Sequence, residues 1–114
     1  MTESIGTRLT ALISPIVPLY LSEASTDTYP YAVYSQTLTY RRDKDEVYAI
    51  TADTEIHVYG KVFGEVEAKA RQIVTKLESD MRDGTYVATL RTVDRDRVQE
   101  IWDIQLSYTI KQLK

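Results

Sequence analysis

From residue 29 onward the apolar and polar positions alternate in two distinct periods, and the change between them sets out most of the architecture. Tyr31 to Arg42 contain neither glycine nor proline and are rich in tyrosine, valine and threonine, which suit a pleated, half-buried surface. They predict a strand with Pro30 at its first position, where a missing N–H is least harmful. The six residues Arg41-Arg42-Asp43-Lys44-Asp45-Glu46 hold no apolar member and predict a charged hairpin tip before Val47 resumes the strand pattern. Beyond Tyr48, the residues Ile50, Ala52, Thr54, Ile56 and Val58 share one face, and Glu55, His57 and Tyr59 share the other, as a side-chain period of two requires. The first face is the core side and the second the wetter one. Gly60 ends that strand.

The period then changes. Phe63, Val66, Ala70, Ile73, Val74, Leu77 and Met81 fall on one side of a helix from about Lys61 to Arg82, with charged residues on its other faces. Asp83-Gly84 stops it, Gly84 being suited to a left-handed conformation. A strand follows from Tyr86 to about Val93, then a turn through Asp94-Arg95-Asp96-Arg97, then a strand from Val98 to Gln112. Trp102, Ile104, Leu106, Tyr108 and Ile110 form the apolar face of that last strand. Ahead of Tyr29, Ile5, Leu9, Leu12 and Ile13 recur at helical spacing and predict a helix from about Glu3 to Ser14, capped by Thr2 or Ser4 and stopped by Pro15 and Pro18. Residues 14–29 are irregular or form a short extended piece around Val17 to Leu21, and the polar run Ser22 to Thr28 has loop composition. The order predicts an α+β fold: an antiparallel or mixed sheet of about four strands with two helices packed on one face.

With 114 residues, 43% of them hydrophobic and 27% charged, the chain is expected to form a single domain spanning 1–114 around one core. It has no cysteine, so neither a disulfide nor a thiolate metal site is available. The longest apolar stretch near the N-terminus, Ala11 to Leu21, is interrupted by Ser14, Pro15 and Pro18, so no membrane contact is expected. Nor does Met1-Thr2-Glu3-Ser4 resemble the basic start of a secretory signal. A net charge of -3 supplies no overall positive field, so nucleic acid is not an expected partner.

Catalytic chemistry has little to build on. His57 is the only histidine, and it sits on the wetter face of a strand with no nucleophile elbow beside it. Asp43, Asp45 and Glu46 are interleaved with Arg41, Arg42 and Lys44, whose charges oppose a cation, and the calcium-loop pattern is absent. The four glycines never form a phosphate cradle. No enzymatic activity, metal or cofactor is expected. The mixed-sign runs at 41–46 and 94–97 are either solvated hairpin tips or charge-complementary contacts with other subunits. Nine tyrosines stand against one phenylalanine. Tyr40, Tyr48 and Tyr59 are either strand residues at a sheet margin or exposed interface anchors.

Taken in order, the N-terminal helix with Leu9, Leu12 and Ile13, the block Tyr29-Pro30-Tyr31-Ala32-Val33-Tyr34, Ile56-His57-Val58-Tyr59-Gly60, the helix with Ala68, Ile73 and Leu77, and Trp102-Asp103-Ile104-Gln105-Leu106-Ser107-Tyr108 resemble the small tail-completion, or tail-terminator, proteins of long-tailed bacteriophages and prophages. The resemblance spans almost the whole chain and rests on order, spacing and one proline–tyrosine block. It implies a structural virion protein that forms a ring, commonly of six copies, on the head-proximal end of the tail tube. Such a ring stops tube polymerisation and offers a surface for head joining. The implied partners are further copies of the chain, which stay monomeric in solution in some relatives, the major tail tube protein, and a head-completion or connector protein. The implied location is the virion tail, reached from the host cytoplasm during assembly. The candidate interface residues are then Arg41, Arg42, Asp43, Lys44, Asp45, Asp94, Arg95, Arg97, Tyr40, Tyr48 and Tyr59. Two other readings stay open: another small head–tail joining or neck protein, and a non-phage α+β binding module.

Overall fold

Ser4 Oγ accepts a hydrogen bond from the Thr7 amide at 3.1 Å and so caps the first helix, α1 (Ile5–Ile13). In the computed structural model, which describes residues 4–21, 28–43, 46–82 and 84–113, α1 ends one residue before Ser14-Pro15. A tight turn follows, in which the Ile16 and Val17 amides both bond the Ile13 carbonyl. The elements after it are β1 (Leu19–Leu21), β2 (Tyr31–Asp43), β3 (Glu46–Gly60), α2 (Phe63–Asp80), β4 (Tyr86–Val98) and β5 (Ile101–Leu113).

The fold is α+β, and its sheet has five strands rather than about four, in the order β1-β2-β3-β5-β4. The added strand is β1, which runs parallel to β2 with Leu19 opposite Ala32; all other pairings are antiparallel, so the sheet is mixed. Three residues are too few to show a period, and β1 is held by its ladder to β2 and by the Ala32 amide on the Pro18 carbonyl at 2.8 Å.

A second correction concerns residues 94–97. They do not turn: β4 continues through them to Val98, and the reversal is made by Gln99 and Glu100, with Gln99 at φ 58°. Asp94-Arg95-Asp96-Arg97 has turn composition, but its ladder to Gln105, Ile104, Asp103 and Trp102 satisfies the backbone, and an exposed strand tolerates the charges. The second helix is also shorter than 61–82. It ends at Asp80, while Met81 stays fully buried and its carbonyl accepts from Ala88, leading the chain through Gly84 at φ 90° into β4.

Opposed residues show the period of two carried across the sheet. Ala52, Thr54, Ile56 and Val58 of β3 face Ile110, Tyr108, Leu106 and Ile104 of β5, and all are buried. Against them pack Val66, Ala70, Ile73 and Leu77 of α2 and Ile5, Leu9, Leu12 and Ile13 of α1, so both helices lie on one face. Helix α2 approaches closely at Gly60, where a Cβ would come within 2.4 Å of the Val66 side chain. Among the described residues the other face carries no helix. Long hairpins give the molecule extents of 51 × 24 × 24 Å.

Candidate assembly surfaces

At the far end of the β2–β3 hairpin, Arg41 and Arg42 are exposed, and a bulge between them shifts the register against β3. Lys44 and Asp45 lie outside the described residues, as do the side chains of Asp43 and Tyr48. Tyr40 is 50% exposed and faces the helix side of the sheet, opposite Ile50. Helix α1 covers this ribbon as far as Tyr34, which packs against Gly6, and leaves the outer part bare. The result is an open, largely apolar groove of about 670 Å³, lined by Ala11, Leu21, Tyr34, Leu38, Tyr40 and Ile50. Leu21 and Leu38 were not singled out by sequence reasoning. Leu38 has the parity of a core position, and only the length and placement of α1 show that no helix among the described residues covers it.

The helix-free face holds a row of rings at the opposite end of the same hairpin. Tyr20 meets Tyr31 edge-on at 6.2 Å, Tyr31 meets Tyr59 at 5.3 Å, and Tyr59 stacks on His57 at 5.8 Å with the planes 7° apart. Tyr59 is therefore half-buried among its neighbours, unlike the exposed Tyr40. His57 Nδ1 lies 3.0 and 3.2 Å from the two carboxylate oxygens of Asp103. A carboxylate only accepts, so Nδ1 carries the hydrogen and donates it. Nε2 faces Glu55 at 3.7 Å.

This arrangement restrains what His57 can do chemically. A histidine oriented by an aspartate would act as a base through its second nitrogen, yet that nitrogen faces a carboxylate where a hydroxyl nucleophile would be needed. The two carboxylates lie against opposite ring nitrogens and do not converge on one point, and no group of metal-ligating side chains forms among the described residues. The hydrogen bond to Asp103 is the main reason the His57 pKa is raised above its ordinary 6.5, with the Asp103 and Glu55 charges adding and partial burial opposing. A folded-state pKa above the unfolded one means that the stability contributed by this contact is fully present below pH 6.5 and fades as pH rises through the folded value. Because the chain has a single histidine, NMR titration of its ring protons reports this group alone. A midpoint above 6.5 is expected, falling in Asp103→Asn; a wild-type midpoint at or below 6.5 would show that the Asp103 contact does not form in solution.

On β4, Asp94, Arg95, Asp96 and Arg97 are all exposed, and their register divides them by sign. A bulge at Arg91 separates the pairs Leu90–Tyr108 and Thr92–Ser107. After it, Asp94 and Asp96 stand opposite Gln105 and Asp103 on the helix-free face, whereas Arg95 and Arg97 stand opposite Ile104 and Trp102 on the helix side. Arg97 lies over the Trp102 ring at 5.3 Å, and Arg95 borders a groove floored by Val74, Leu90 and Val93. The predicted interface residues are thus not one patch: Arg41 and Arg42 lie at one end of the molecule, and the β4 charges flank the other on two different faces.

No family model and no curated protein matches the chain. Among solved structures, a chain from the virion of a native gene transfer agent particle overlays 99% of this chain and 87% of its own length, with a TM-score of 0.67 and 16% sequence identity. The gp17 protein of bacteriophage SPP1 overlays 82% of this chain and 76% of its own, with a TM-score of 0.41 and 18% identity. The first likeness establishes a shared fold across the whole domain; the second is too loose to add to it.

Proposed function

We propose that this chain is a structural protein of a phage-type tail or head–tail junction, and specifically that it caps the head-proximal end of the tail tube as a ring. The observation that supports this most is the fold shared, over nearly the full chain, with a component of a gene transfer agent virion, because it agrees with the resemblance carried by residues 29–34, 56–60 and 102–108. The role is one of assembly and not of catalysis. Ring closure needs different patches of neighbouring subunits to meet, and this elongated subunit offers distinct surfaces at its two ends and on its two faces. The apolar groove beside Tyr40, the exposed Arg41 and Arg42, and the aromatic row around Tyr59 are the surfaces available to further copies, to tube protein and to a connector. Such a protein would be made in the host cytoplasm and end in the virion tail.

The decisive experiment removes the gene from the particle-producing genome and measures tails by negative-stain electron microscopy. Tubes longer than normal and not joined to heads are expected, with normal length restored by supplying the protein. Tails of normal length that fail to join heads would identify a neck or head–tail joining protein instead. Unaltered particles would overturn the virion role and favour a binding module of another kind.

A further inference from the structure

The division of charge on β4 has a partner elsewhere on the same molecule. Asp94 and Asp96 join Asp53, Glu55 and Asp103 on the helix-free face, where the positive groups are Arg91, 3.6 Å from Asp53, His57, held by Asp103, and, nearer the β2–β3 turn, Arg41 and Lys111. The half of that face around Asp94, Asp96 and Asp103, away from the β2–β3 turn, is therefore acidic. On the other side of the same strand, Arg95 has no ion-pair partner among the described residues and Arg97 is engaged only by the Trp102 ring, while the neighbouring Arg71 of α2 is held by Glu67. The helix-side edge of β4 is therefore basic, beside an apolar groove in which Val93 is 40% exposed.

From this we infer that the acidic half of the helix-free face of one copy receives the Arg95–Arg97 edge of a second copy, and that this is the contact which repeats around the ring. Opposite charges on opposite faces of one sheet cannot meet within one molecule. Because the two patches point away from each other, a two-fold contact laid on either one would bring acid to acid or base to base, and like charges brought together oppose association. Only a head-to-tail arrangement pairs the two patches, and such a contact either closes into a ring or continues as a filament. The Val93 groove supplies the apolar part of the contact, and the charges set its register and direction. This inference rests on the ring reading above and names the surfaces that build it.

The test uses two charge-reversed chains. One carries Glu55→Lys, Asp94→Lys and Asp96→Lys and so reverses the acidic face; the other carries Arg95→Glu and Arg97→Glu and so reverses the edge. All five positions are exposed, so the fold is expected to survive, which circular dichroism checks for each variant. Sedimentation velocity should show wild-type association that weakens in high salt. Each variant alone should associate roughly tenfold or more weakly than wild type, since like charges now face each other. An equimolar mixture should regain association, because each reversed surface finds its complement on the other chain. Folded variants that associate like wild type, or a mixture no better than either variant alone, would each overturn the contact, and where wild type associates only on tail tubes the same comparison is made with tubes present. If wild type and both variants all cap tubes to normal length, the ring reading stands and this contact fails; if wild type caps nothing, the ring reading itself fails.

Discussion

Ile73→Ala and Leu77→Ala are each expected to lower the unfolding free energy by about 2–5 kcal/mol, the range for deleting a fully buried large aliphatic side chain. Both residues are completely buried, and α2 is the element that seats on β3, β4, β5 and α1 together. A cavity under it therefore cannot be closed by the shift of one neighbour, which places the cost towards the upper part of that range. Small domains have only about 5–15 kcal/mol of stability, so the loss is a large share of the whole. Chemical denaturation would read it as a lower midpoint with an unchanged slope. Lys76→Ala on the exposed side of the same helix is the control. It removes only the surface pair with Asp80 at 2.8 Å and should cost under about 1 kcal/mol. Equal effects from the buried and exposed substitutions would mean that the apolar stripe of α2 is not what holds the helix to the sheet.

Tyr108→Phe is expected to act in the opposite direction and stabilise the domain by about 1–2 kcal/mol. The Tyr108 ring belongs to the core face of β5 and is 1% exposed, but its hydroxyl finds no hydrogen-bond partner among the described residues. A buried hydroxyl without a partner forfeits its bonds to water on folding, a cost on the order of 1–3 kcal/mol. Burial, reinforced by the nearby Glu78 charge, also pushes its ionisation well above the ordinary tyrosine range, so the group stays neutral and cannot gain from charge. Phenylalanine keeps the ring packing and removes the orphaned group. Stability unchanged or lowered in Tyr108→Phe would show that the hydroxyl is satisfied in solution, for example by a buried water.

The α2 stripe and Tyr108 show where sequence reasoning reaches its end. The stripe Phe63, Val66, Ala70, Ile73, Val74, Leu77 and Met81 is legible because a helical period needs no knowledge of the rest of the chain; five of the seven are buried as that period predicts, and Phe63 and Val74 are half-buried at its margin. The ring of Tyr108 is equally legible from the alternation with Ile104, Leu106 and Ile110. Whether its hydroxyl meets a donor or acceptor depends on residues far away in the chain, and no local pattern encodes that. Strand β1 was legible only as one of two alternatives, a short extended piece around Val17 to Leu21, and not as a member of the sheet: Leu19–Leu21 is extended because β2 accepts it, and three residues carry no period of their own.

The candidate surfaces divide in the same way. The charged runs and abundant tyrosines pointed to the relevant residues, but not to their grouping. Tyr40 and Tyr59 looked alike in sequence and lie on opposite faces and towards opposite ends of the β2–β3 hairpin, because their register positions differ in parity and in distance from the turn. Leu38 shares the core-side parity of Ala32 and Tyr34 and is nonetheless exposed, because α1 does not extend over it.

By itself the sequence determined the α+β class, the helix-covered and helix-free faces of the sheet, the span of α2 to within a few residues and most of the core, since each follows from a local period. The tertiary structure alone decided the sorting of charge on β4. The alternation Asp94-Arg95-Asp96-Arg97 guarantees that acids and bases separate onto two faces once the segment is a strand, but not which sign goes to which. That choice is made by the bulge at Arg91, whose extra residue inverts the parity of everything after it and turns the acids to the open face and the arginines towards α2.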